Sequence, residues 1–437
     1  MEFHSSNAMP ATSPTSPFHR LPRAALVMIT MLLVGLKAPL FAQADALPQN
    51  SPFFTKAGPW GRLQCYYFYL EAPDSVVSRT STPDTQPRWR IPEAQLSAFE
   101  TLISLTELPD ELVSALFNPR NLIRRSGTAN LFPSSQLIES LTITDRKKVY
   151  ESLAQYPLNE YYEYPIVFSG GSVEAWARDS GLRPELVTAI SLLSYPRGEA
   201  LAFSDIPLLL GLAESNSEAL FIKKKLTRTR TLIARLEVNP DSPVQDMLDY
   251  WATGLNLRRK ELEPLFQATS TAPGIGHIDL LHLLPALPRK LLYTYPGDGF
   301  TTHIRFPDCH WTTLNFFNFT AQDYYLDSHL ASSAVLENFQ EVQPPYRFGD
   351  VLMFINAVGN AFHSCIYVAD DLVYTKNGAN PLVPWTLMEL KDMHSMYNLD
   401  LGKGVILGYR HKAGRLEPAD TSAIPAPVSP SSRNASR

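Results

Sequence analysis

The spacing of apolar residues changes along this chain, and each change predicts a different kind of structure. Leu63 to Leu70 is an aromatic, β-prone run with Tyr66, Tyr67, Phe68 and Tyr69, which predicts a strand. Residues 72–90 are rich in Ser, Thr, Pro and Asp and predict a loop. Beyond them the period becomes helical. Pro92 stands where a first helical turn begins, and Leu96, Phe99, Leu102 and Ile103 share one face. Thr144-Asp145 predicts the cap of a helix burying Val149, Tyr150 and Leu153. Val173, Trp176 and Ala177 mark another helical face ended by Gly181, and Pro184 opens the next helix through Leu193. Ser242-Pro243 starts a helix that groups Met247, Leu248 and Trp251.

Residues 273–296 are punctuated by Pro273, Pro285, Pro288 and Pro296 and end in Leu291-Leu292-Tyr293-Thr294-Tyr295, which predicts a packed connector. From 297 to 412 the pattern mixes helix and strand. It predicts a helix over 309–319 and strands over 351–355, 362–368, 372–375 and 405–409. From Glu417 onward Pro, Ser and Ala dominate without an apolar period, so 413–437 is expected to be a disordered tail. The expected class is α+β: a lead-in with one strand and a loop at 45–90, a mostly helical accessory domain and connector at 91–296, and an α+β domain at 297–412.

Composition narrows the function classes. The chain has 437 residues, 45% of them hydrophobic, enough for two domains and a sizeable core. A net charge of −5 argues against a general nucleic-acid binder. Arg20 and Arg23 precede the apolar stretch Ala24 to Leu36, and Ala42-Gln43-Ala44 follows. That order predicts an export signal over 1–44. The stretch is short for a membrane span, which needs about 20 residues; membrane contact is expected only if 24–36 stays uncleaved as an anchor. Three cysteines remain, Cys65, Cys309 and Cys365, so an odd thiol is left over in an oxidising compartment even if Cys65 pairs with Cys365. His277 and His282 are poorly spaced for a metal; His303 and His310 lie near Cys309, where a Cys/His zinc site is conceivable but lacks a second cysteine pair at finger spacing, and no metal or cofactor is expected. Lys223, Lys224, Lys225, Arg228, Arg230 and Arg235 form a basic run that reads as a solvated face or an anion contact. Trp176 and Trp251 read as core, with sugar stacking as the rival.

The chemistry concentrates at Asp308-Cys309-His310-Trp311 and Phe362-His363-Ser364-Cys365-Ile366-Tyr367-Val368. Asp308 is placed to cap the helix carrying Cys309, with Leu314 and Phe317 burying it. A helix N-terminus favours thiolate and presents backbone N–H groups to an oxyanion. His363 opens a strand and can serve as base. Ala369-Asp370-Asp371 reads as a hairpin loop. With three loop residues His363 lies opposite Asn377; with two, it lies opposite Gly378 and Asn377 turns away. Thr375 shares the face of Asn377 and is the alternative orienting residue. Cys365 shares the face of His363, either as core or as an oxidation partner of Cys309.

These strings, with Gly349-Asp350-Val351 before them, resemble the NlpC-type peptidases of the papain-like fold. The resemblance covers about 297–412 only. It implies an antiparallel sheet packed on a Cys-bearing helix, with Cys309 as nucleophile, His363 as base and Asn377 as the third polar residue. The family carries small residues after its cysteine, where this chain has His310 and Trp311; the departure resembles the Cys-x-Trp of the related CHAP amidases. His310, Trp311 and Asp308 are expected to shape the substrate cleft. The implied activity is hydrolysis of an amide or peptide bond in cell-wall peptidoglycan, or another amide substrate. The rivals are a non-catalytic binding or scaffold protein on the same fold, and a thiol acyltransferase.

Overall fold

A computed structural model describes residues 51–80, 84–170, 172–253, 256–297, 306–397, 399, 402 and 404–412. The expected signal (1–44), the tail (413–437) and His303 lie outside these residues. Helix accounts for 40% and strand for 24%, and the named strands pair antiparallel, so the class is α+β.

Residues 89–226 gather around one core. Trp89, Phe99, Tyr150, Phe168 and Phe203 are all but fully buried in it. Helices Leu96–Ser104, Ile143–Leu153 and Pro184–Leu193 surround it as their apolar periods require. Two small sheets complete it, Trp89–Pro92 with Thr128–Leu131 and Leu122–Arg125, and Ile166–Phe168 with Ala200–Phe203 and Tyr195–Arg197. The helix expected from Thr144 begins earlier, because the Thr142 hydroxyl accepts from the Asp145 N–H at 3.1 Å. Residues 72–90 are not all loop: Asp74–Val77 is a short helix and Trp89–Pro92 a strand.

The second core runs across the expected boundary at 296/297. Leu63–Leu70 pairs with Thr229–Glu237, and Trp251 and Phe266, with Leu292 of the connector, share a cluster with Trp311, Tyr374 and Trp385. The Tyr293 N–H donates to the Trp385 carbonyl at 2.8 Å, and the Trp385 N–H donates to Thr294 at 3.1 Å. The Thr231 hydroxyl donates to the Leu387 carbonyl at 2.9 Å, so the strand Thr229–Glu237 lies against Trp385–Glu389. The connector is therefore part of the wall on which the last sheet rests.

That last sheet has six strands in the order Phe339–Val342, Val405–His411, Val351–Ile355, Ala361–Ala369, Leu372–Lys376, Trp385–Glu389. Its two faces bury different clusters. Val351, Met353, Ile366, Tyr374 and Leu387 face the Cys-bearing helix with Trp311 and Phe316. Leu352, Phe354, Cys365, Val373 and Met388 face the helix Leu390–Met396. Pairing between Ala361–Ala369 and Leu372–Lys376 begins at Ala369↔Leu372 and shifts by one residue to Tyr367↔Val373. The loop is thus two residues, Asp370 and Asp371, and a bulge at Val368 restores the register expected of a three-residue loop.

Candidate active site

The helix Cys309–Leu314 starts as its sequence dictates. The Asp308 carboxylate accepts from the Trp311 N–H at 2.8 Å and caps it. The helix stops at Leu314, short of the expected Phe319: its C-cap Asn315 donates through Nδ2 to the Trp311 carbonyl at 3.0 Å and accepts from the Gln322 N–H at 2.6 Å, turning the chain away. Phe316, rather than Phe317, is the aromatic anchor, 1% exposed. Phe317 instead covers the preceding turn of the sheet. Gly349 has φ +90, and a Cβ there would lie 2.4 Å from the Phe317 ring, so only glycine fits. Next to it the buried Asp350 accepts from Arg410 Nε and Nη2, both at 2.7 Å, and from the Arg347 N–H at 2.7 Å. This bidentate pair fixes the Gly-Asp turn that leads into the strand Val351–Ile355.

Two helix residues tie the Cys-bearing helix to the His-bearing strand. Thr313 Oγ1 and Ser364 Oγ are 2.9 Å apart, and Ser364 Oγ lies 2.9 Å from His310 Nδ1. Burial pushes the His310 ring below its ordinary value, while Asp308 and a hydrogen bond with the Ala361 backbone push it up. His310 is therefore a bracing residue between helix and strand. Trp311, expected against substrate, is fully buried. Its indole donates to Asp323 Oδ1 at 3.3 Å and its ring packs near Trp385, so it has no face to offer a ligand.

His363 is 1% exposed, paired with Phe354 across the ladder and on the face away from the helix body. Its ring stacks on Tyr397, centroids 4.2 Å apart and planes 21° apart, and meets the edge of Phe354 at 5.1 Å. The orienting residue is Thr375. Its hydroxyl lies 3.3 Å from His363 Nε2 and donates to Asn377 Oδ1 at 3.2 Å. A hydroxyl has one proton; given to Asn377, it leaves the oxygen to accept from Nε2–H. That assigns the Nε2–H tautomer and leaves Nδ1 with its lone pair. Asn377 is thus one step removed from the ring. The strand ends at Lys376 and Gly378 turns with φ +84, so Asn377 leaves the ladder and its amide donates to Met388 Sδ at 3.2 Å.

Cys309 is 5% exposed, and all three cysteines are free thiols. No hydrogen bond joins the Cys309 sulfur to His363. The thiol sits where both faces of the sheet are within electrostatic reach. Lys376, on the helix side, and Cys365 and Tyr397, on the His363 side, lie within its electrostatic reach. Burial and the Cys309 charge push the Cys365 thiol well up, which makes it a poor nucleophile.

Two residues of this neighbourhood escaped the sequence analysis. Tyr397 follows the helix Leu390–Met396 and reaches His363 by a tertiary contact that leaves no local pattern. Lys376 did leave a sign, a lysine closing a short buried strand. Among the described residues, no group of three or more His, Cys, Asp or Glu is placed to hold a metal ion, and no helix is long and apolar enough to cross a membrane. Most of the basic run is paired within the fold, and Arg235 alone of the six stays exposed, over the Tyr66 ring. Lys224 pairs with Asp74, Lys225 and Arg228 with Glu71, and Arg230 with Asp392, while Lys223 donates to Thr80. Trp176 and Trp251 are core, 2% and 0% exposed. Comparison of the chain with protein-family models, with curated proteins and with solved structures finds no match.

Proposed function

We propose that this protein is an exported thiol hydrolase of papain-like, NlpC-type fold that cleaves an amide or peptide bond in peptidoglycan. The observations that carry the reading are the Thr375–His363 pair and the Asp308-capped helix that begins with Cys309. The first leaves His363 Nδ1 free to accept a proton while Nε2 is held.

The chemistry follows from that proton arrangement. His363 Nδ1 takes the thiol proton, and Sγ attacks the substrate carbonyl carbon. The carbonyl oxygen gains negative charge, which the backbone N–H groups at the helix start stabilise. The C–N bond then breaks as the imidazolium gives its proton to the leaving amine. Water attacks the thioester, passes a proton to His363 and releases the acid, and the thiol is restored. Sγ and the imidazole come into hydrogen-bond contact when substrate binds, as catalytic contacts commonly tighten in the loaded site.

A second reading is favoured by one observation. His363 lies under Tyr397 and almost without solvent contact, as in a fold kept for binding alone. Purified muropeptides incubated with the exported chain separate the two. The hydrolase reading expects new amines and carboxylates, lost in Cys309→Ala. Intact muropeptides that bind with unchanged affinity to wild type and Cys309→Ala sink the hydrolase.

A further inference from the structure

Lys376 closes the strand Leu372–Lys376 and is fully buried. A buried ammonium gives up hydration worth several kcal/mol, so a chain that keeps one must compensate its charge. Lys376 Nζ donates to the carbonyls of Gly378 at 2.7 Å and Asn380 at 3.1 Å. Two carbonyls satisfy two of its three N–H groups and the Trp385 ring centroid lies 5.8 Å from Nζ, and none of these is a counter-ion.

The sheet places the third direction. Tyr374, two residues back on the same face, packs on Phe316 at the far end of the Cys-bearing helix. Trp385, paired with Lys376 across the ladder, donates through Nε1 to Thr312 Oγ1 at 3.0 Å. These contacts put the ammonium beside the start of the helix. The acidic groups that act on it are Cys309 and Asp308. Asp308 already serves the helix as its cap.

We propose that Lys376 is a positioning residue for the hydrolase reading, on which this inference rests: its buried ammonium is the charge partner that holds Cys309 as thiolate from the helix side of the sheet, while His363 addresses it from the other. Among the described residues, the other titratable groups around the pair are Asp308 and His310 at the helix, His363 and Cys365 on the neighbouring strand, and Tyr397 beyond them. Burial keeps the His310 and Cys365 side chains toward their neutral forms, and Tyr397 likewise. Burial pushes the Lys376 ammonium down, and with Cys309 and Asp308 opposing it the net is about 7. Thiol and amine are therefore linked: charge on either one favours charge on the other.

The test is the rate of carbamidomethylation at Cys309 between pH 5 and 10, followed by peptide mass on the exported chain. Wild type is expected to react faster at pH 6.5 than glutathione does. Lys376→Met is expected to move the inflection of the rate upward by about one unit or more, the size of effect a close opposite charge exerts. A folded Lys376→Met protein with the wild-type inflection overturns the inference. A second measurement needs no variant: the NMR titration of the Lys376 Nζ signal before and after Cys309 is carbamidomethylated. Removing the thiolate must lower the Lys376 midpoint, and an unmoved midpoint also overturns the proposal. The two readings fail separately. Muropeptide cleavage lost in Cys309→Ala, with Lys376→Met leaving the inflection in place, removes Lys376 from the site and leaves the hydrolase standing. A wild-type Cys309 slower than glutathione removes both.

Discussion

Asp205 in the 89–226 core and Lys376 beside the thiol are both buried ionisable residues, and their surroundings differ in kind. Asp205 is 1% exposed, and Tyr150 Oη lies 2.8 Å from both its carboxylate oxygens. The neighbours around it bond to one another: Trp89 Nε1 donates to Tyr162 Oη at 2.8 Å, Tyr195 Oη and Ser204 Oγ are 2.8 Å apart, and Arg146 donates to Leu192 and Ile138 carbonyls. These are short pairs, each satisfied by a neighbour in or at the edge of the core. The network at 363–377 runs His363, Thr375, Asn377, Met388, and it begins at a ring nitrogen with no partner. Closed polar networks specify a fold. One with an open end is what the proposed hydrolase would use for proton transfer. Substitutions in the two regions should therefore be read by different instruments, stability for the first and chemistry for the second.

The largest contrast is expected at the thiol. Cys309→Ala should abolish muropeptide cleavage, a loss of roughly a thousandfold or more, with the melting temperature almost unchanged. Thr375→Val removes the hydroxyl that holds His363 and should lower kcat by about tenfold to a hundredfold, part of the ~10²–10⁴ a positioned base contributes. Thr375→Ser should restore most of it. Loss of melting temperature without loss of kcat in Thr375→Val would make that network structural, like the one around Asp205.

In the other region the expected effect is on stability and depends on pH. Burial raises the Asp205 carboxyl from 3.8 to about 6, with Tyr150 and Arg146 opposing. The native state therefore holds this proton more tightly than the unfolded chain does. Stability falls as pH rises from about 4 to about 6 and is level on either side. Two units correspond to about 3 kcal/mol. Asp205→Asn should flatten that slope in urea unfolding curves taken at pH 4, 5 and 6. An unchanged slope would exclude Asp205 as its source.

How far each region was legible in the sequence follows from the same contrast. Strands such as Val351–Ile355 were readable because a continuous apolar run, bounded by turn residues, has few alternatives. The Asp308 cap was readable because capping is local. The strands Tyr195–Arg197 and Ala200–Phe203 were missed: each is short and gains its stability from distant partners. The choice between Asn377 and Thr375 was open because both share one face, and the end of the strand at Lys376, which takes Asn377 off the ladder, leaves no pattern of its own. Tyr397 on His363, like Thr231 on Leu387, is set by packing between elements far apart in the chain.

A smaller effect is expected where the two regions touch the site from outside. Tyr397→Ala uncovers the imidazole and should raise Cys309 alkylation several-fold at pH 7, while leaving the Asp205-dependent slope intact. A rate that stays level would mean that Tyr397 does not limit access to this pocket.

The smallest effect tests whether the first core acts on the second at all. Arg197, on the hairpin strand Tyr195–Arg197, donates to the Met396 carbonyl at 3.0 Å and the Ser395 carbonyl at 3.4 Å. Those carbonyls end the helix that presents Tyr397. A guanidinium on terminal carbonyls contributes about 0.3–1 kcal/mol through the helix dipole, more when partly buried. Arg197→Ala should therefore loosen Tyr397 without removing it and raise alkylation at Cys309 by about two- to fivefold. Arg197→Lys should fall between, since a point charge cannot fork onto two carbonyls as a guanidinium does. If Arg197→Ala and Tyr397→Ala combined exceed Tyr397→Ala alone, the arginine acts by another route. If the double variant equals Tyr397→Ala, the accessory core reaches the thiol through this one ring.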